Sequence, residues 1–223
     1  MVMGRHIKPL SKTSKKRVRN FFESIQEHEV NTQIEYWQKK APKTEQEVKN
    51  RWVFAYTSVH TSWDKNVVQY GLLKDQPLNN ILRITHQLIL SRGGMQNQKA
   101  AGIFHFGISF NQNKELFLDV PTCLRGLRDD LAKQLIQINY AKVSFALEMC
   151  NPLTANVVCL DRHILGLYGH DKEKAPGKIL YHGMEDYWLR LSQERDVPPY
   201  IARCIYWDRA QNQNNSHYWA KIL

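Results

Sequence analysis

Ile138-Asn-Tyr-Ala-Lys142-Val-Ser-Phe-Ala-Leu-Glu148-Met-Cys-Asn-Pro152-Leu-Thr-Ala-Asn-Val157-Val-Cys-Leu-Asp161-Arg-His163 is the stretch whose reading decides the fold. Residues 141–150 form an apolar stripe of helical period that carries one amine, Lys142, near its start. Pro152 breaks the helix, and the apolar run 157–160 then leads to a carboxylate, Asp161, nineteen positions after the lysine. Asp161 precedes another helical pattern through Ile164, Leu165 and Leu167, which Gly169 ends. The segment therefore sets an amine on one helix and a carboxylate at the start of the next, with a returning loop between them.

Upstream, Leu124, Leu127, Leu131 and Leu135 form a helical stripe, with Thr122 as its N-cap. Only Gln137, Ile138, Asn139 and Tyr140 separate it from the lysine helix, which predicts a tight helical hairpin. The outer segments follow the same period. Phe21, Phe22 and Ile25 suit one helix face and Ile34, Tyr36 and Trp37 another; Pro42 marks a break, and 45–56 reads as a helix buried in its later part. Val67, Val68, Gly71 and Leu72 suit a short helix, and Leu78, Ile81, Leu82, Thr85, Leu88 and Ile89 give the clearest stripe in the chain, stopped by Gly93 and Gly94. Residues 99–110, 177–191 and 198–207 supply further helices, with 111–121 as a loop. Alternating strand patterns are scarce, so the expected fold is mostly α.

Composition bounds the class. The chain has 223 residues and is 43% hydrophobic, enough for one substantial domain or two lobes sharing a core. No window approaches the apolar length of a membrane span, and the basic start lacks the apolar core of a secretory signal, so a soluble intracellular protein is expected. Cysteines at 123, 150, 159 and 204 form no CxxC pair, which excludes zinc-ribbon and iron–sulfur spacing and leaves buried free thiols. Of the +10 net charge, seven units come from Arg5, Lys8, Lys12, Lys15, Lys16, Arg17 and Arg19, with no acid among residues 1–20. That stretch reads as a basic flexible arm, either a salt-sensitive tether for a polyanion or a solvated tail.

Taken together, these segments resemble the helix-hairpin-helix DNA glycosylase superfamily, which includes endonuclease III and the 8-oxoguanine DNA glycosylases. Leu160-Asp161-Arg162-His163 is similar to that superfamily's Val-Asp-x-His signature, and Lys142 falls at the spacing of its lysine. Gly94-Met95-Gln96-Asn97-Gln98-Lys99-Ala100 looks like its Gly-Leu-x-x-x-Lys-Ala turn, and the 58–62 segment around His60 sits where it carries a Leu-Ser-x-Gln-like loop. The resemblance covers about residues 45–170, in the same order and at similar separations. One element departs from it: the superfamily hairpin reads Leu-Pro-Gly-x-Gly, whereas 137–140 contains no glycine. Asn139 tolerates a left-handed backbone, so the turn can form, but Tyr140 takes space that glycine would leave for a phosphate.

The resemblance implies a two-lobed helical fold with the active-site cleft between the lobes, formed by residues 21–223, with the hairpin and catalytic segment at about 122–170. It implies a DNA N-glycosylase with abasic-site lyase activity. An amine can attack the anomeric carbon, and a carboxylate can steady the cationic sugar that forms. Lys142 would be the nucleophile, freed by apolar neighbours Val143, Phe145 and Ala146, and Asp161 the charge-stabilising carboxylate, a role compatible with capping a helix. His163 is a support residue, more readily packed than reactive. Ile138, Asn139 and Tyr140 of the hairpin, Met95 as a wedge, His60 opposite the vacated base, and Lys99, Arg92, Arg125 and Arg128 near phosphates would meet duplex DNA. Met95 equally suits a core contact, His60 suits an ordinary structural role better than a DNA contact, and Arg125 and Arg128 also suit solvated helix charges.

The aromatic residues Tyr206, Trp207, Tyr218 and Trp219 read as a lid on the core. No cofactor is implied beyond a monovalent cation at the hairpin, and a monomer is expected. Two rival readings stay open: an enzyme of the same fold, of virus type, acting on a hypermodified base, and a DNA-binding module without chemistry.

Overall fold

The computed structural model describes residues 10–171, 174–212 and 217–222, and the side chains of Tyr218 and Ala220 are left aside. The described residues form α-helices, short connections and one final 3-10 turn, with no strand. Helices α1 (Lys12–Ser24) and α2 (Glu27–Lys40) come first, followed by α3 (Glu45–Thr57), α4 (Trp63–Leu73), α5 (Ile81–Leu90), α6 (Gln96–Gln112) and the single turn α7 (Glu115–Leu118). The hairpin is α8 (Leu124–Gln134) and α9 (Tyr140–Cys150); α10 (Arg162–Leu167), α11 (Lys178–Glu194) and α12 (Pro199–Ala210) complete the chain.

Two lobes result. In one, α3 packs against α4, α6 and α7, and α5 packs against α4 and α6. The first two and the last three α-helices make the other: α12 packs on α2, α10 and α11, and α1 packs on α10 and α11. The hairpin joins them, because α9 packs on α8 and on α3. Trp52 and Phe106 stack at 5.6 Å in the first lobe, while Phe21 and Phe22 pack against Trp188 at 5.7 and 4.9 Å in the second. Trp219 is fully buried on Phe54 and Tyr70 beneath the Arg51 guanidinium, so it serves as core rather than as a lid.

A flexible basic arm was expected over residues 1–20; its residues 1–9 lie outside the described residues. From Lys12 the chain is helix α1, capped by Ser11, whose side chain accepts from Ser14 N. Val18, Phe21 and Phe22 bury one face, and the Tyr187 hydroxyl donates to Lys15 O at 3.1 Å. Lys12, Lys15, Lys16, Arg17 and Arg19 are therefore the solvated face of an amphipathic helix.

The stripe phased from Leu78 is also out of register. Asn80 caps α5 by accepting from Arg83 N, so Leu78 lies outside the helix and cannot set its phase. Of the stripe within α5, Leu88 faces inward, joined by Ile84, while Ile81, Leu82 and Ile89 are exposed. Two smaller expectations shift as well. The loop 111–121 contains α7, and the start of α8 is held by Asn156, which accepts from Leu124 N and donates to Thr122 O, not by Thr122 as a cap. Cys159 and Cys204 are buried free thiols, whereas Cys123 is exposed.

Candidate active site

In the hairpin the left-handed residue is Gln137, at φ 60°. Asn139 is extended and caps α9, its side chain accepting from Lys142 N at 3.2 Å. The strain expected at Asn139 thus falls two residues earlier, because an Asn side chain contributes more as a cap than as a turn residue. Lys142 stands in the first turn of α9, half-buried, with Nζ 5.5 Å from the centre of the Phe145 ring.

Beyond Pro152 the chain runs buried and extended through Val157, Val158, Cys159 and Leu160 without joining any helix. Its backbone polar groups need partners. Val158 N donates to Glu185 Oε1 at 2.9 Å, Val158 O accepts from the Tyr181 hydroxyl at 2.6 Å, and Cys159 N donates to Glu148 Oε1 at 3.1 Å. Side chains of α9 and α11 thus act as a scaffold that delivers Asp161 to a fixed point.

Asp161 caps α10. Its Oδ1 accepts from His163 N at 2.9 Å and Ile164 N at 3.1 Å, and its Oδ2 lies 3.4 Å from Arg203 Nη1. Arg203, buried on α12, places its guanidinium 4.9 Å from the centre of the Phe145 ring that also carries Lys142. Its Nε lies 3.0 Å from Glu148 Oε2, at ion-pair distance but without hydrogen-bond alignment. Burial raises the Glu148 carboxyl to about 7, against the pull of Arg203 and the Cys159 N–H. Burial likewise pushes the Cys159 thiol up to about 12, with the charges of Asp161 and Lys142 acting on it in opposite directions. The charges of Lys142 and Asp161 thus both act on the Cys159 thiol, and Arg203, which meets Asp161, shares the Phe145 ring with Lys142.

Several expected DNA contacts are placed differently. Lys99 is buried, and its Nζ donates to Thr57 O at 2.9 Å, Gln69 Oε1 at 2.8 Å and Thr61 Oγ1. All three of its donors are occupied, so it is a brace between α6, α3 and α4 rather than a phosphate contact. Burial, helped by the charge of Lys142, lowers its amine to about 8. Arg128 is fully buried on Glu185, with Nη1–Oε1 at 2.9 Å and Nη2–Oε2 at 3.1 Å. Arg125 pairs with Glu185 at 3.2 Å and with Asp186. These arginines hold α8 to α11, because a buried carboxylate on α11 demands a cation.

The Ile138 side chain is buried, and the half-buried Tyr140 ring lies between Arg128 at 5.4 Å and Lys178 at 5.6 Å. Of the hairpin side chains, those of Ile136, Gln137 and Asn139 face outward. Met95 caps α6 in the left-handed region at φ 61° and is 36% exposed at the tip of its turn; His60, at φ 48°, and Arg92, at φ 52°, are exposed too. His163 packs edge-on to Trp207 at 6.1 Å and lies 2.7 Å from Gln211 Nε2, which makes it a contact to α12.

Glu148, Arg203 and Glu185 were not expected in the site. Their signal was a charged residue inside an apolar helical run, as in Phe-Ala-Leu-Glu148-Met-Cys and Ile-Ala-Arg203-Cys-Ile. Such residues are rarely fully buried without a partner.

No family model matches this chain, and no curated protein sequence does. Among solved structures, the fold is that of the two-lobed helical 8-oxoguanine DNA glycosylases. The 8-oxoguanine DNA glycosylase of Thermotoga maritima superposes with a TM-score of 0.72 at 14% identity, covering 89% of this chain and 98% of that one. The Methanocaldococcus jannaschii 8-oxoguanine glycosylase/lyase, solved with a 15mer DNA containing 8-oxoguanine, superposes with a TM-score of 0.72 at 16% identity, covering 89% and 97%.

Proposed function

We propose that this protein is a DNA glycosylase with associated lyase activity, acting on a damaged or modified base swung out of duplex DNA. What supports this reading is that Lys142 lies over the Phe145 ring that Arg203 also approaches, while Arg203 in turn meets Asp161, on a fold like that of the 8-oxoguanine DNA glycosylases. The solved relative whose DNA contains 8-oxoguanine supports a purine lesion as the first substrate to try.

In this reading the Lys142 amine attacks C1′ of the deoxyribose as the bond to the base breaks, and the base leaves with the bonding electrons and takes a proton. The Asp161 carboxylate faces the positive charge that develops on the sugar and accepts the proton shed by the attacking amine. The C1′–O4′ bond then breaks, with O4′ taking a proton, and the sugar ring opens to a protonated imine; the imine acidifies C2′, and loss of that proton expels the 3′ phosphate, cutting the strand. Met95, presented on a left-handed turn, would enter the stack where the base leaves. Backbone N–H groups at the start of α9 would meet a phosphate.

The test is base release. Duplexes carrying 8-oxoguanine and a panel of other modified bases are incubated with the protein, and free base is measured by mass spectrometry. Release of at least one modified base, with none from unmodified duplex, is expected. Binding to DNA without release of any base contradicts the reading.

A further inference from the structure

We infer that Arg203, held by Glu148, is a positioning residue for Asp161: it fixes the orientation of the carboxylate that faces the sugar. The inference rests on the glycosylase reading and adds to it Glu148, from the hairpin helix α9, and Arg203, from outside that segment.

The geometry carries it. Asp161 Oδ1 is committed to two backbone N–H groups of α10, which fixes one oxygen but leaves rotation about the cap. The second oxygen meets one guanidinium nitrogen, Arg203 Nη1 at 3.4 Å. Arg203 has no freedom to follow solvent: it is buried, its guanidinium lies 4.9 Å and 5.0 Å from the Phe145 and Tyr200 ring centres, and Glu148 approaches its Nε at 3.0 Å. Glu148 is tied down in turn by Cys159 N, two residues before Asp161. The array thus closes on itself: α9 supplies Glu148, α12 Arg203, α10 Asp161, and the extended segment links the last to the first.

One cation between two carboxylates balances only one of them. The groups that face Glu148 are Arg203 and the Cys204 thiol from α12, Asp161 from α10, Glu185 from α11 and the Cys159 thiol from the extended segment. When Glu148 carries a proton it no longer competes with Asp161 for the Arg203 charge; when it is ionised, the guanidinium is shared. The working carboxylate should therefore sense pH near neutrality through its neighbour.

The experiment compares wild type, Arg203→Lys, Arg203→Met and Glu148→Gln in single-turnover base release across pH, alongside abasic-site DNA affinity and thermal unfolding. Misplacing a reacting group by a fraction of an ångström costs about tenfold to a hundredfold in rate, and that loss is expected for Arg203→Met with DNA affinity unchanged. Arg203→Lys keeps a charge near Asp161 and should recover part of the rate. Glu148→Gln keeps the volume and the acceptor for Cys159 N, so it should fold and should lose the inflection near neutral pH. Folded Arg203→Met and Glu148→Gln with wild-type rates and pH profiles overturn the inference. Should Arg203→Met fail to fold, Glu148→Gln decides by itself. Absence of base release by wild type would instead remove the glycosylase reading, an outcome separate from the others.

Discussion

Arg128 and Glu185, both fully buried, face each other through two parallel contacts of 2.9 and 3.1 Å, joining the first hairpin helix to α11. The same carboxylate accepts from Val158 N, so this pair sits behind the segment that presents Asp161. Breaking a buried pair by removing one partner costs about 3–5 kcal/mol, and here Glu185 would keep only the more exposed Arg125 as its cation. Arg128→Met should therefore lower the denaturation midpoint sharply. Because Arg128 does not reach a phosphate, the salt dependence of DNA binding by the folded variant should equal that of wild type. A shallower slope would return Arg128 to the DNA interface.

Asp161 has two jobs that a single substitution separates. Asn caps helices nearly as well as Asp, so Asp161→Asn should retain acceptance from His163 N and Ile164 N and lose about 2 kcal/mol or less of stability. Removing the charge opposite the sugar should cost about 10²–10⁴ in the rate of base release. Rate and melting curves measured on one preparation check both halves.

Lys99 is a buried amine lowered to about 8 from an ordinary 10.5. Below pH 8 it is protonated both folded and unfolded, and its burial penalty is fully present. Between about 8 and 10.5 the unfolded chain binds more protons than the folded one, so stability gains with rising pH. Denaturant melts of wild type and Lys99→Met should therefore diverge in favour of wild type as pH climbs through that window. A constant difference would place the Lys99 amine at its ordinary value.

Gly102 lets α6 approach the hairpin turn. A methyl there would lie 2.8 Å from Tyr56 Cε1, 3.0 Å from Gln137 Cβ and 3.1 Å from Ile136 O. Tyr56 is fully buried and the carbonyl belongs to the turn, so neither yields easily. Overpacking of about 1–3 kcal/mol exceeds the gain of about 1 kcal/mol from replacing glycine in a helix. Gly102→Ala should melt earlier and, by displacing the turn, bind duplex DNA more weakly; thermal unfolding and fluorescence anisotropy measure the two effects.

The placement of Lys142 on α9 and of Asp161 at the start of α10 was legible because both lie on one continuous segment, where spacing alone fixes which helix each belongs to. Arg203 was not, since it enters from 42 residues beyond Asp161 and only the docking of α12 brings it there. Arg128 and Lys99 were misread for the related reason that periodicity shows which face a residue occupies but not whether a partner awaits it. The partner of Arg128 is 57 residues away, and an acceptor of the Lys99 amine 42 away. The α5 stripe failed locally: Asn80 starts the helix two residues after the leucine that set the phase.

Borohydride reduction during reaction with DNA tests the central claim most directly, because it converts an imine between enzyme and deoxyribose into a stable covalent adduct. Wild-type protein should trap on a duplex containing its modified base or an abasic site. Lys142→Ala should trap nothing while keeping its fold, and peptide mapping of the wild-type adduct should place the sugar on Lys142. A wild-type protein that releases base yet never traps, or a Lys142→Ala variant that traps as well as wild type, would contradict the assignment of Lys142 as the nucleophile.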